Sequence, residues 1–465
     1  MTGGTSATAS GASSTTASGT TSTTASAAER LAPLRALVTE VSRRFPDLGL
    51  LSPSGVLTVP VTVGPVRRLR LEVPKQFLHL QSLGLVTADG SDASVGAEVS
   101  VSSWYGTYGE RFDPAALFAW DDPTGTVVHT EKDDVSWLEV RFPRPVELTE
   151  VRLRNVAKDT AVRAKNLKVL VRTRFRTHVL WDNARQHREL RAAVSAVDLG
   201  PADPDVQALV PVITHVLSGA YPQARKALNA ADLAPDVVKE FRSIVNAELL
   251  PSRHLLWTIH GPCRSFRFWS PEEQEAYVRF AAEVVEALRE LTPHTCFGFG
   301  SVLSVVRDHA LIPHDDDLDI IVGFEPHEAA TLAEGHALVT AHLEARGFSV
   351  RGNWSAHRQV GRGGRGKHVD VFVGLFEGDA ISWYPGTRGA LDRATMYPPS
   401  SAPLLGVDCL IPARPEVYLE RLYGAGWRTP DPNFAHRWDR SAYADLAGGR
   451  AATTTDPTTS DTSTT

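Results

Sequence analysis

Four aspartates crowd the stretch His314-Asp315-Asp316-Asp317-Leu318-Asp319-Ile320-Ile321-Val322, where acids run straight into an apolar strand pattern. Alternate side chains of a strand share a face, so Asp317 and Asp319 are expected to point one way and Leu318 and Ile320 the other. Carboxylates held side by side repel, and burying them uncompensated costs on the order of several kcal/mol. A divalent cation removes that cost, and Mg²⁺ (or Mn²⁺) suits one or two carboxylates, several waters and substrate phosphates. Further on, Lys367-His368-Val369-Asp370-Val371-Phe372-Val373 alternates as a strand does, and Asp370 interrupts its apolar run. If the two strands pair, Asp317, Asp319 and Asp370 form a metal site and are the expected catalytic residues. The competing readings are a solvated acidic loop for the first group and a water-facing edge strand for Asp370.

The elements that must position these acids begin upstream. His294-Thr295-Cys296-Phe297-Gly298-Phe299 reads as a short strand, and Gly300-Ser301 opens a helical pattern through Arg307. Free backbone N–H groups at such a junction favour an anion, and Ser301 is expected to cap the helix and donate its hydroxyl to a phosphate. Arg307 either folds back to that phosphate or pairs with Asp315 as a strut. Gly361 to His368, GRGGRGKH, nearly fits a P-loop, but His stands in the hydroxyl position and a strand pattern follows where a helix is required. Its cations Arg362, Arg365 and Lys367 make the loop either a phosphate clamp or a solvated hairpin.

The stretch GSVLSVVRDHALIPHDDDLDI resembles the signature of the LicD/fukutin family of phosphotransferases, with His314 where Trp is usual, Ser301 for Thr and Ser304 for a small Gly. His368-Val369-Asp370-Val371-Phe372 is similar to that family's second acidic strand, and Ile411-Pro412, Tyr418-Leu419, Leu422-Tyr423-Gly424 and Trp427 to its C-terminal element. The resemblance spans about residues 294 to 430. It implies a nucleotidyltransferase fold and metal-dependent transfer of a phospho-alcohol or sugar-phosphate unit, phosphocholine-like or polyol-phosphate-like, onto a glycan or related hydroxyl. The implied donor is nucleotide-activated, CDP-linked first, and the implied setting is the biosynthesis of cell-surface polysaccharides. Donor phosphates are expected across Gly300-Ser301, and the expected substrate-binding residues are Gly300, Ser301, Arg307, Asp315, Arg365 and Lys367. Three rivals remain: a nucleotidyltransferase acting on a protein or small molecule, a metal-dependent glycosyltransferase, and a non-catalytic glycan-binding protein.

With 465 residues the chain has room for two or three domains. Residues 1–28 and 449–465 are dominated by Ser, Thr, Ala, Gly and Asp and are expected to be disordered. The first tract has neither a basic start nor an apolar core, unlike a secretory signal. Residues 29–54 read as a short helical lead-in. Residues 55–183 alternate at period two in several short runs, predicting an antiparallel β-sandwich. Phe77-Leu78-His79-Leu80, Ser102-Ser103-Trp104-Tyr105, His129-Thr130, Trp137 and Arg163-Ala164-Lys165-Asn166-Leu167 resemble landmarks of a discoidin-like, galactose-binding-like jelly roll. That resemblance makes Trp104 and Tyr105 sugar-binding candidates, or else core residues. Residues 184–270 form a helical connection, and 271–448 the catalytic domain, an α+β unit whose first helix starts with the capping box Ser270-Pro271-Glu272-Glu273. Everything from about 184 onward is expected to fold without the sandwich.

Only three cysteines occur, which fits a reducing, cytoplasmic setting and excludes a disulfide framework. Forty-eight Lys plus Arg against 54 Asp plus Glu give a net charge of −6, with no general attraction to nucleic acid. The Arg-rich stretch from Arg163 to Arg188 is the local exception. No apolar run reaches the roughly 18 residues of a membrane span, so only peripheral membrane contact is left open.

Overall fold

The computed structural model describes residues 25–447, except 46–54, 91–92, 123–124, 156–160, 197–202, 354–355, 364–366, 385, 435, 437–438 and 440. The terminal tracts expected to be disordered therefore lie almost wholly outside the described residues. The fold is mixed α/β and has three separate apolar cores.

The first core lies between two antiparallel sheets. Val56–Pro60, Leu148–Arg154 and Ser82–Thr87 make a three-stranded sheet. Thr177–Asp182, Lys168–Arg172, Val66–Pro74, Val135–Val146 and Glu98–Val101 make a five-stranded one. Period-two alternation sends Leu69, Leu71, Val140, Val169 and Val171 inward, to be fully buried. Trp104 is half-buried against Phe112, ring centroids 4.7 Å apart, whereas Tyr105 is 46% exposed and stacks on His129.

The second core is helical and differs from the sequence reading. The helix Ala27–Arg44 is not a lead-in to the sandwich: its Leu31, Leu34, Leu37, Val38 and Val41 pack with the helices Pro204–Leu217 and Pro235–Glu248. The sandwich is thus inserted between this first helix and the helices that follow it. A fragment starting at 184 would strip five buried side chains from that core, so the expectation that it folds alone is withdrawn. Two helices at about that separation in sequence carry no periodic signal of their partnership, since each looks like an ordinary amphipathic segment.

The third core belongs to the acid-bearing region. A seven-stranded sheet runs in the order Thr295–Gly298, Asp319–Phe324, His368–Glu377, His357–Gly361 and Ser349–Arg351. Ala380–Trp383 pairs with the far half of His368–Glu377, and Leu391–Asp392 pairs beyond it. Asp319–Phe324 and His368–Glu377 are parallel neighbours; the other pairs are antiparallel. Both central strands are apolar on both faces because helices cover them. The helix Pro271–Arg289 starts at the expected capping box and buries Tyr277, Val278, Ala281, Val284, Val285 and Leu288 in this core.

Candidate metal centre

Register brings the downstream acid to the first group. Asp319 and Asp370 are direct partners in the parallel pair, and Gly298 lies opposite Asp319 on its other side. The Asp370 N–H donates to the Leu318 carbonyl at 2.9 Å, which locks that register. Asp370 therefore sits in a central strand, 6% exposed, not on a solvated edge. Asp317 departs from the expectation: the strand starts at Asp319, so Asp317 lies in the irregular segment before it and not on a shared strand face. It is nevertheless brought in, and Asp317, Asp319 and Asp370 each offer an oxygen within 4.8 Å of the others'.

The surroundings leave this group charged beyond its means. Burial raises the carboxyls of Asp315, Asp319 and Asp370 well above the ordinary range, and the Asp317 charge adds to each. Burial raises Asp317 as well, against the pull of His260. Asp370 Oδ2 has His357 Nε2 at 3.3 Å, but its buried Oδ1 has no hydrogen-bond partner. Burial also drives His357 down to about 4, so it brings no positive charge to Asp370.

A second group shares Asp317. His260 Nδ1 lies 3.2 Å from Asp316 Oδ1 and 3.8 Å from Asp317 Oδ2, and the three form a cluster that could ligate a metal. Burial opposes protonation of His260, but Asp317, the Asp316 hydrogen bond and the remaining acids outweigh it and raise the imidazole to about 10. Burial likewise opposes ionisation of Asp316, yet His260 holds it below the ordinary carboxylate value. His260 sits in the turn of the hairpin Leu256–Thr258 and Gly261–Cys263, within the stretch read as purely helical. The hairpin is tied down just beyond, where Phe266 N–H donates to the Asp315 carbonyl at 2.8 Å and Arg267 N–H to that of Pro313 at 3.1 Å.

The strand-to-helix junction is present but works differently from the expectation. Helix Phe299–Leu303 is continued as a π-turn, Ser304–Asp308. Ser301 does not cap it: its buried hydroxyl accepts the Asp319 N–H at 2.7 Å and fixes the start of the acidic strand. Gly300 is required by close approach, because a Cβ there would lie 2.8 Å from Asp315 Oδ2. Phe299 holds a left-handed φ of 43°, a strained value for a non-glycine residue, and its N–H donates to the Tyr418 hydroxyl at 2.7 Å. Arg307 does not pair with Asp315; it grips both Asp308 oxygens at 2.8 Å and the Trp427 carbonyl at 3.1 Å.

Of the loop cations, Arg365 lies outside the described residues. Arg362 pairs with Glu283 and lies over the Phe348 ring. Lys367 lies 3.9 Å from the Trp269 ring centroid and is close enough to stabilise charged Asp317.

Sequence reasoning missed His260, His357 and Tyr277, and gave Asp316, named among the four aspartates, no role of its own. The two histidines arrive from separate hairpins with no spacing relation to the acids. Tyr277 did carry a signal, since a tyrosine on a buried apolar helix face needs a partner for its hydroxyl. That hydroxyl donates to the His368 carbonyl at 2.6 Å and accepts the Leu318 N–H at 3.1 Å, joining the two acidic strands one residue before Asp319 and two before Asp370.

Residues 294–414 match the family model described as LicD/FKTN/FKRP, nucleotidyltransferase domain. No curated protein matches the chain. The matched segment contains every acid of the cluster, whereas His260 and Tyr277 lie ahead of it. Over this segment, about a quarter of the chain, the protein is similar to the LicD/FKTN/FKRP nucleotidyltransferase domain, a likeness that points to a transferase.

Proposed function

We propose that the protein is a metal-dependent transferase that moves a phospho-alcohol or sugar-phosphate unit from a nucleotide donor to a hydroxyl of a glycan or related acceptor. The observation that carries the reading is the close grouping of Asp317, Asp319 and Asp370, with the buried Oδ1 of Asp370 left without a hydrogen-bond partner. Three carboxylates raised by burial and mutual repulsion, with an oxygen left over, fit a hard divalent cation such as Mg²⁺ or Mn²⁺. Such a cation would offset the charge that develops on the donor's phosphates.

The chain's own residues supply position. Tyr277 holds the two acidic strands at a fixed separation, and Ser301 sets where the first of them begins. His357 lies against Asp370 Oδ2 and restrains that carboxylate. His260 restrains Asp316 and Asp317 from the open side, and with them forms a place for a second cation. In the transfer, the acceptor oxygen bonds to the phosphorus carrying the alcohol or sugar, the P–O bond to the nucleotide breaks, and a nucleoside monophosphate leaves. Gly300, Ser301, Asp315 and Lys367 line the donor side in this reading, with Arg307 bracing the helix, and Arg365 is a further donor-binding residue on the sequence alone. The nucleotidyltransferase fold, the discoidin-like jelly roll with Tyr105 toward a sugar, and the role in surface-polysaccharide synthesis belong to the same proposal.

The test is incubation with CDP- and UDP-linked donors and Mg²⁺ or Mn²⁺, with nucleotide products read by mass spectrometry. A nucleoside monophosphate supports the proposal. Pyrophosphate would assign nucleotidyl transfer instead, and a nucleoside diphosphate glycosyl transfer. Turnover that survives complete chelation of divalent ions would remove the metal from the mechanism.

A further inference from the structure

The outer face of the five-stranded sheet carries a row of arginines that sheet stability does not favour. Arg172, Arg68 and Arg141 are direct cross-strand neighbours on adjacent strands. Like charges in that relation destabilise a sheet. Toward the middle of the face the charges are matched, since Glu139 and Glu72 take Arg68 and Arg70. Toward the hairpin that joins Lys168–Arg172 to Thr177–Asp182 they are not. Arg172, Arg174 and Arg176 are exposed, and no acid lies within ion-pair distance of them among the described residues.

Between these arginines stands Phe175, 86% exposed at the tip. Val179, 57% exposed, follows on the same outer face as Arg172. The tip is a built turn, with Thr173 N–H donating to the Arg176 carbonyl at 3.0 Å and the Thr173 hydroxyl to the same oxygen at 3.2 Å. A protruding aromatic residue flanked by unpaired cations is what an interface of apolar chains and anionic headgroups accepts: the ring enters, and the guanidiniums stay with the phosphates. A nucleic-acid strand would instead need a groove to track, whereas this tip is convex, and the net charge of −6 supplies no wider field.

We propose that the hairpin tip Thr173-Arg174-Phe175-Arg176, with Arg172 and Val179 behind it, docks the protein on an anionic phospholipid surface. The inference does not depend on the reaction proposed above. Among the described residues no helix is long and apolar enough to cross a membrane, so the contact is peripheral. The test is co-sedimentation of the full chain with vesicles of phosphatidylcholine alone and of phosphatidylcholine mixed with phosphatidylglycerol. Wild type should bind the mixed vesicles, more weakly as salt rises, and not the neutral ones. Arg174→Glu with Arg176→Glu should weaken partition at least about 25-fold, at about fivefold for each arginine lost. Phe175→Ser should weaken it about tenfold while leaving the melting temperature unchanged, because the side chain packs on nothing in the core. The proposal is overturned if wild type ignores charged vesicles or binds both kinds alike. It is equally overturned if the variants bind as wild type does, or if a single-stranded RNA oligonucleotide displaces the protein from the vesicles.

Discussion

The strand Asp319–Phe324 ends in acid on both sides, and the molecule treats the two ends in opposite ways. Just past its C-terminal end, Glu325 receives both arms of Arg393, at 2.6 and 3.0 Å, and the guanidinium rests 3.7 Å from the Phe376 ring centroid. Those hydrogen bonds pull Glu325 below the ordinary carboxylate value. Among the described residues no arginine pairs with the acids at the N-terminal end. Asp315, Asp319 and Asp370 are raised by burial and by the Asp317 charge, and His260 and Lys367 are cations that act on Asp317. The fold can therefore neutralise an acid at this strand when it has a partner to place there. The excess charge left at the other end is what a cation and a phosphate donor would use.

The largest effect expected from this contrast is on turnover. Asp317→Asn, Asp319→Asn or Asp370→Asn, each nearly isosteric, should lower the rate by roughly two to three orders of magnitude, the scale for losing one charge-stabilising group. Steady-state assays that find any of them within a few-fold of wild type would break the contrast. Next is Tyr277→Phe, which removes the hydroxyl shared by Leu318 N–H and the His368 carbonyl. It should weaken divalent-cation affinity by about tenfold, as loss of a supporting hydrogen bond does, and lower stability by about 1–2 kcal/mol. Calorimetric titration and chemical denaturation separate the two.

Much of this contrast was legible in the sequence, and the reasons differ from residue to residue. Asp370 stood out because an acid inside Val369-Asp370-Val371-Phe372-Val373 breaks an apolar alternation, and register with Asp319 then follows from both strands being central. Asp317 comes near Asp319 and Asp370 by a route other than strand alternation, because it lies in the irregular segment before the strand begins. Ser301 and Arg307 were misread since a hydroxyl in the first turn, or a guanidinium in the last, has several local partners. The choice between them is made by tertiary contacts, with the Asp319 N–H in one case and Trp427 in the other. His260 was invisible: a turn residue before the helix Pro271–Arg289 meets the acids only after the hairpin folds over them. The same limit hid the pairing of Ala27–Arg44 with the helices beyond the sandwich.

Smaller effects sharpen the picture. Replacing Arg362, Arg365 and Lys367 together by Ala should raise the donor's KM several-fold, with less dependence on salt than wild type. Folding stability should change little, as ion pairs near the surface contribute only about 0–1 kcal/mol each. Kinetics at two salt concentrations that match wild type would leave the loop as a solvated hairpin. At the paired end, Glu325→Gln should cost roughly 0.5–1 kcal/mol. Because the folded-state value of Glu325 is depressed, its stabilising share is present above its unfolded value of 4.5 and is lost as pH falls through the folded one. Wild type and Glu325→Gln should therefore converge in stability under acid, and denaturation curves at neutral and acid pH check it.

The central claim is that the crowded, buried acids at the start of Asp319–Phe324 are the seat of a divalent cation. Thermal melting of wild type and Asp319→Asn, each stripped of metal and then titrated with Mg²⁺ or Mn²⁺, tests it without reference to any substrate. The account predicts that the stripped variant melts above stripped wild type, because one buried like charge is gone, and that added cation raises wild type but leaves the variant nearly unmoved. A wild-type melting temperature indifferent to both ions, or a variant that responds as strongly as wild type, would contradict it.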